Sequence, residues 1–342
     1  MDWTVAAPFF HEHKVSDSTW LAPFVPEKHV LQYIPRRDAL ANSNWHDRAS
    51  AVTEPKEWLR IWHQSGEAFA ATRGGVITVF PQLAATVGLR QRLSRKRVPV
   101  VAWCFNVTTC YPGLKGWLAR FGLMEVNRFI VHTSYEREIY SRWLKLPLER
   151  FEFVPMQTAE IPLIYPEETI DPFVLAMGSN HRDYPTLFKA VKKLNLRTIV
   201  ASGRRALKGL DIPPRVETPF GVKKQDCLRL AQQARLNVLP MLPRGPAGIV
   251  TIIEAMRMSR AIIVTRCSWA EDYIKDGETG LLVEPGSVAD MARAIELLWH
   301  DSSERERLGT AAGKYAAQHF SDEVAGVTLG KILDSVENEM CL

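Results

Sequence analysis

The sequence predicts an α/β protein made of two doubly wound parallel sheets. Short apolar runs alternate with amphipathic stretches of roughly ten to fifteen residues nearly throughout the chain, the pattern of strands crossing over through helices. Near the middle of the 342 residues, a stretch carrying Pro155, Pro162, Pro166 and Pro172 with several acidic residues interrupts that alternation and reads as an interdomain linker. The length fits two domains with sizeable cores.

In the first half, the predicted strands are Thr4 to Ala7, His29 to Ile34, Gly75 to Phe80, Val98 to Trp103, Phe129 to Thr133 and Phe151 to Val154. Apolar residues at helical spacing predict helices over Glu57 to Ala71, Gln82 to Leu93, Gly113 to Met124 and Tyr135 to Leu144. After the prolines come strand Phe173 to Met177, helix Tyr184 to Leu194, strands Arg197 to Ala201 and Val216 to Pro219, and helix Lys223 to Ala234. Strand Asn237 to Pro240, helix Ile249 to Met258, strand Ala261 to Thr265, a short helix near Trp269 to Ile274, strand Gly280 to Val283 and helix Val288 to Trp299 follow. Ser287 ahead of Asp290 and Ser303 ahead of Glu306 are helix-start signals.

Composition removes several function classes. Hydrophobic residues make up 46% and charged residues 24%, ordinary globular usage. The net charge of +5 comes from interleaved cations and anions, so no nucleic-acid partner is expected; the one dense basic cluster is Arg90, Arg92, Arg95, Lys96 and Arg97. Five scattered cysteines and no signal-peptide pattern at the start predict a reduced, cytoplasmic protein. The longest uncharged stretch, Val98 to Leu114, contains Asn106, Thr108 and Pro112 and reads as buried strand and loop rather than a membrane span. Most of the ten tryptophans fall in the first half.

The segment from Pro246 to Met256 carries the clearest chemistry. Gly248 opens a predicted helix whose first amides, at Ile249, Val250 and Thr251, are free to meet a phosphate. Glu254 is an acidic residue in an otherwise apolar helix; it either faces solvent or accepts hydrogen bonds from both hydroxyls of a ribose.

Gly248 to Met256 resembles the second half of the E-x7-E signature of glycosyltransferase family 4. The likeness continues through Asp276-Gly277-Glu278-Thr279-Gly280-Leu281-Leu282-Val283, similar to that family's D-G-x-T-G-x-L-V turn and strand, and through Gly178 to Leu187, where a strand ends in glycine and a basic residue precedes a helix. Val131 to Ser134 and Leu146 to Pro155 resemble the end of the family's first domain. The resemblance implies a GT-B fold, two Rossmann-like domains facing a central cleft. It implies an acceptor-binding domain over 1–160, joined by a returning helix at 321–342, and a nucleotide-sugar domain over 161–320. The implied reaction is metal-independent transfer, with retention, from a nucleoside diphosphate sugar of UDP or GDP type to a glycan or lipid-linked acceptor in surface polysaccharide or glycolipid assembly. No cofactor is implied. By the same resemblance Gly178 belongs to the donor site, Arg182 clamps the diphosphate, Arg204 or Arg205 supplies a second cation, Gly248, Ile249, Val250 and Thr251 give helix-start contacts, and Glu254 holds the ribose.

The chain also departs from that pattern. Pro246 stands where the first glutamate of the signature belongs, and Val5-Ala6-Ala7 runs into Pro8-Phe9-Phe10-His11-Glu12-His13 with no glycine-rich loop. Candidates for catalysis in the first domain are His11 and Glu12, which follow the first strand, and Asn106, which can bond a sugar hydroxyl but cannot act as a base. Pro246 motivates a second reading, a non-catalytic nucleotide-sugar-binding or partner protein; an epimerase acting on the nucleotide sugar is a third. Leu114 to Met124 has apolar residues at helical spacing with cations between them, which suits core packing or, with the cluster at Arg90 to Arg97, peripheral contact with an anionic membrane, as on its inner face.

Overall fold

The computed structural model describes residues 1–11, 20–36, 55–107 and 109–340. The chain divides into two compact units, Met1–Pro155 with Asp322–Leu342, and Met156–Ser321.

The first unit runs β1 (Asp2–His11), β2 (Val30–Arg36), α1 (Pro55–Ala71), β3 (Gly75–Val79), α2 (Pro81–Leu93), β4 (Val100–Trp103), α3 (Gly113–Leu123), β5 (Arg128–Val131), α4 (Ser134–Leu144) and β6 (Phe151–Phe153). Its six strands pair in parallel in the order β2-β1-β3-β4-β5-β6. Side chains alternate between faces along each strand, so both faces of so apolar a sheet need cover. From β4, Val100 and Ala102 pack with Leu83, Val87 and Phe129 on one side, while Val101 and Trp103 pack with Trp3, Ile77 and Ile130 on the other.

That second side is closed by a helix from far along the chain, α12 (Asp322–Met340), which buries Ala325, Leu329, Leu333 and Val336 there. Burying each of the leucine and valine side chains contributes roughly 1.5–3 kcal/mol. A polar clasp fixes the helix in place. Trp3 Nε1 donates to His29 Nδ1 at 3.2 Å, which leaves the proton on Nε2, and that nitrogen donates to Asp334 Oδ1 at 2.6 Å. Lys28 pairs with the same carboxylate at 2.7 Å. Trp3 and Trp103 are among the largest fully buried side chains, which accounts for two of the tryptophans.

The second unit runs β7 (Val174–Met177), α5 (Tyr184–Leu194), β8 (Thr198–Ala201), α6 (Arg204–Leu207), β9 (Val216–Glu217), α7 (Lys224–Gln233), β10 (Leu236–Leu239), α8 (Ile249–Arg257), β11 (Ile262–Thr265), α9 (Ser268–Glu271), β12 (Leu281–Val283), α10 (Val288–His300) and α11 (Ser302–His319). Its strands pair in parallel as β9-β8-β7-β10-β11-β12, the strand order of a dinucleotide-binding sheet. Chain direction across the sheet reverses between β7 and β10, so their carboxyl ends border a crevice.

Several expectations are corrected. The proline-rich stretch is not a free linker but is bonded into the second unit: Gln232 Oε1 accepts the amides of Ile164 and Tyr165, both at 2.9 Å, and Gln232 Nε2 donates to Pro162 O at 3.0 Å. Ser287 does cap α10, its hydroxyl accepting from Asp290 N at 3.2 Å. Ser303 does not cap α11; Asp301 takes that place, accepting from Glu304 N at 2.9 Å, and the Ser303 hydroxyl donates to the same carboxylate at 2.7 Å. In α3 only Gly122 and Leu123 are buried, while Leu114, Trp117 and Leu118 are 71%, 57% and 54% exposed, so its apolar stripe is not core. Most of the nearby basic cluster is spent within the fold. Arg90 donates to Trp62 O at 2.7 Å, Arg92 pairs with Glu125 at 3.4 Å, Lys96 donates to Phe69 O and Thr72 O at 2.7 and 2.8 Å, and Arg97 donates to Ser94 O at 2.7 Å.

Candidate functional site

The crevice at the β7/β10 switch point is lined by two loops. After β7 the chain turns at Gly178, with φ of 108°, and passes through His181, with φ of 52°, before α5 begins behind its cap Asp183. After β10 it runs from Pro240 to Gly248, whose φ of 83° starts α8. The loops are joined across the crevice by an antiparallel bridge between Arg182 and Met241 and by Leu242 N donating to His181 O at 2.9 Å.

Arg182 is the centre of this arrangement. Its Nε donates to Met177 O at 2.9 Å and its Nη1 to Asn180 O at 2.7 Å, which sets the guanidinium plane. Burial holds its pKa below the usual arginine range, yet no carboxylate pairs with it among the described residues. Both glycines make room for it: a β-carbon on Gly178 would lie 2.4 Å from Nη2, and one on Gly248 would lie 3.1 Å from the same atom. The guanidinium therefore rests at the amino end of α8. No side chain caps that end, and the first-turn amides of Ile249, Val250 and Thr251 bond no protein acceptor among the described residues. A cation beside open helix-start amides is a ready site for a phosphate. Ile249 itself is buried, so its contribution is its backbone; Val250 is exposed.

Hydroxyls line the neighbouring edge. Ser202 Oγ donates to Gly178 O at 2.9 Å, and Ser179 Oγ accepts from Gly203 N at 2.7 Å. Arg204 does not join Arg182; its guanidinium lies over the Phe220 ring at 4.5 Å. Glu254, on α8, does not face open solvent. Its side chain is 14% exposed and stands 3.8 Å from Lys224 Nζ at the start of α7. Burial raises its pKa, and Lys224 opposes that rise. Lys224 and Arg244 were not singled out from the sequence. The signal for Arg244 is a cation inside the proline- and glycine-rich loop before Gly248; for Lys224 there is none locally, since a helix-start lysine is usually solvated.

Residues 179–315 match the family model described as Glycosyl transferases group 1. That match spans the switch-point loops, α8 and its surroundings. Among curated relatives, the Staphylococcus aureus capsular polysaccharide biosynthesis glycosyltransferase CapM is 36% identical over 72 residues, 21% of this chain and 19% of that one. The chain spans 19% to 35% of the lengths of the curated relatives it matches. Two solved structures share the fold over nearly the whole chain. Sucrose-phosphate synthase from Thermosynechococcus elongatus is similar at a TM-score of 0.72 with 17% identity, covering 99% of this chain and 100% of that one. HepE from Anabaena, in complex with UDP and glucose, is similar at 0.68 with 11% identity, covering 98% and 99%. The fold is GT-B, two Rossmann-like units.

In the first unit, the candidates separate. Glu12 lies outside the described residues, and His11 is the last residue of β1. Asn106 follows β4 and is exposed, but its amide donates to Glu136 Oε1 at 2.8 Å. Glu136, buried, also accepts from Tyr140 OH at 2.9 Å and Thr133 Oγ1 at 3.0 Å. Beside them, His132 Nδ1 donates to Val154 O at 2.7 Å, so Nε2 is the acceptor for the Cys104 thiol at 2.9 Å. Burial lowers His132 to about 4 and raises Cys104 to about 12, so neither is charged near neutrality. This cluster holds the loop after β4 rather than offering a base. Among the described residues no helix is long and apolar enough to cross a membrane.

Proposed function

We propose that this chain is a glycosyltransferase that moves a sugar from a nucleoside diphosphate donor, of UDP or GDP type, to a glycan or lipid-linked acceptor. The observation that carries the reading is the Arg182 guanidinium set against the open amino end of α8 at the switch point. When the glycosyl bond breaks, negative charge grows on the departing diphosphate. Arg182 and the amides of Ile249, Val250 and Thr251 are preorganised to take up that charge, and they do so without a metal. Glu254 would accept from the ribose hydroxyls, with Lys224 yielding its place on the carboxylate. The retaining course is the one the family resemblance implies. The likeness to CapM supports a place in surface polysaccharide or glycolipid assembly. The first unit would take the acceptor, with Asn106 Oδ1, which has no partner among the described residues, bonding a hydroxyl while its amide is held by Glu136. Exposed Leu114, Trp117 and Leu118 on α3, flanked by Lys115 and Arg120, would rest that unit on an anionic membrane face inside the cell.

A thermal-shift screen of nucleoside diphosphates and their sugars tests the donor side, since a ligand that binds only the folded state raises its stability by mass action. Stabilisation by either the uridine or the guanosine series is expected; none from either overturns the reading. Pro246, which has no side-chain acceptor, favours one second reading, a nucleotide-sugar binder without turnover. Binding without nucleotide release, even with crude lipid acceptor extracts, selects it.

A further inference from the structure

A cavity of about 450 Å³ lies in the first unit at the amino ends of β4 and β5, the end of the sheet opposite the carboxyl ends where sheets of this kind take their usual ligands. Two side-chain amides in its wall have fixed orientations. Gln91 Oε1 accepts from Val98 N and Asn127 Oδ1 from Val100 N, both at 2.9 Å, so each oxygen is committed and each NH2 is left as a donor. Gln91 is only 4% exposed, yet its Nε2 bonds no acceptor among the described residues and is not sealed from solvent. The same holds for Asn127 Nδ2. A buried amide oriented in this way, in the wall of a cavity, lacks an acceptor that the protein does not provide.

The cations around the cavity are unevenly paired. Arg128 pairs with Glu152 at 3.1 Å and with Glu339, and Arg92 pairs with Glu125 at 3.4 Å. Arg97 and Arg150, which also line the cavity, bond backbone carbonyls and no carboxylate among the described residues. Arg97 uses Nη1, on Ser94 O at 2.7 Å and on Gln91 O; Arg150 uses Nη2, on Met124 O at 2.7 Å and on Val126 O. Those bonds anchor each guanidinium and leave its other nitrogens without an acceptor among the described residues. Burial first, then Arg128, holds Arg150 below the usual arginine range, with Glu125 opposing. Arg92, Arg97, Arg128 and Arg150 set against Glu125, Glu152 and Glu339 leave one positive charge in excess.

We propose that this cavity is a second anion site that binds a phosphate group through Gln91 Nε2, Asn127 Nδ2, Arg97 and Arg150. Two neutral and two charged donors in one wall complement a group whose oxygens only accept, and the single excess charge matches a phosphodiester or the inorganic monoanion. All four donors are held by bonds to the backbone before a ligand arrives, so binding orders little. The phosphate has two possible sources. Met124 and Glu125 line the cavity directly after α3, whose exposed Leu114, Trp117 and Leu118 are set to rest on an anionic membrane, so one source is a phospholipid headgroup and the other is free phosphate.

The test is calorimetric titration of the full chain with two soluble probes, inorganic phosphate and glycerophosphoglycerol, the latter a phosphodiester headgroup without acyl chains. Arg182→Ala is the background, because the amino end of α8 is expected to take phosphate too. On that background at least one probe is expected to bind, and both Asn127→Asp and Arg97→Gln to weaken it by about ten-fold. Asn127→Asp keeps the oxygen that Val100 N needs and exchanges the donor for a second carboxylate oxygen; Arg97→Gln changes an exposed side chain, so its result stands even if the buried variant folds poorly. Binding of glycerophosphoglycerol, with less sedimentation of both variants on phosphatidylglycerol vesicles, assigns the site to a lipid headgroup; binding of inorganic phosphate alone assigns it to free phosphate. If neither probe binds in Arg182→Ala, or if Arg97→Gln leaves binding unchanged, the proposal is overturned while the nucleotide-sugar reading of the second unit stands.

Discussion

The Nη2 atom of Arg182 stands 3.1 Å from where a β-carbon on Gly248 would sit. The same β-carbon would lie 2.9 Å from Leu239 Cδ2, on a backbone with φ of 83°. Gly248→Ala is therefore expected to cost about 1–3 kcal/mol of stability through left-handed strain and crowding. It would also push the guanidinium off the helix end. Chemical denaturation should show the first effect, and a weaker nucleotide affinity than the stability loss explains should show the second.

Arg182→Lys keeps a charge but loses the planar fork that Met177 O and Asn180 O orient. Nucleoside diphosphate affinity is expected to fall by about ten-fold, and by more in Arg182→Ala. Unchanged affinity in the alanine variant would remove Arg182 from the phosphate site.

Glu254→Ala removes the ribose acceptor and is expected to weaken donor binding by about 1–3 kcal/mol. Lys224 supplies a control. Lys224→Ala frees the carboxylate from its 3.8 Å partner, so it should not mimic the loss of Glu254. Wild-type donor affinity in Glu254→Ala would mean the ribose lies elsewhere.

His132 gives a stability signature in acid. Its folded pKa is lowered by burial to about 4 against an ordinary value of 6.5. Between those values the unfolded chain takes up a proton that the folded one refuses, so stability falls as pH drops through that window, by about 1.4 kcal/mol per unit where the difference is fully expressed. In His132→Gln, the loss of melting temperature from pH 7 to pH 4.5 should be visibly smaller than in the wild type; parallel curves would refute the assignment.

For α3, sedimentation with anionic liposomes should carry the wild-type protein down at low salt and less at high salt. Trp117→Glu with Leu118→Glu should abolish it, since both side chains are more than half exposed and contribute no core packing. Equal sedimentation of the double variant would place any lipid contact elsewhere.

Much of the fold was legible because each buried parallel strand is a short apolar run and each crossover helix an amphipathic one; Tyr184–Leu194 has the boundaries its spacing predicts. Misreadings arose where tertiary contacts decide. Asp301 rather than Ser303 caps α11 because both are good caps and only the turn geometry chooses between them. The prolines at 155 to 172 look like a linker locally, but the distant Gln232 satisfies their backbone. At the site, Gly248, Arg182 and Glu254 were visible as residue types out of keeping with their surroundings. The Arg204 stack on Phe220 and the Lys224 partner of Glu254 were not, because each depends on two segments apart in sequence meeting in the fold.

The clasp of Trp3, His29 and Asp334 spans most of the chain. During synthesis the first unit therefore emerges with one face of its sheet bare, and it stays so until α12 follows the whole of Met156–Ser321 out of the ribosome. The second unit, contiguous in sequence, can close its core earlier. The domain begun first is thus completed last, and for that interval its uncovered apolar face, with Trp3 and Trp103 on it, is the surface that a chaperone would have to guard.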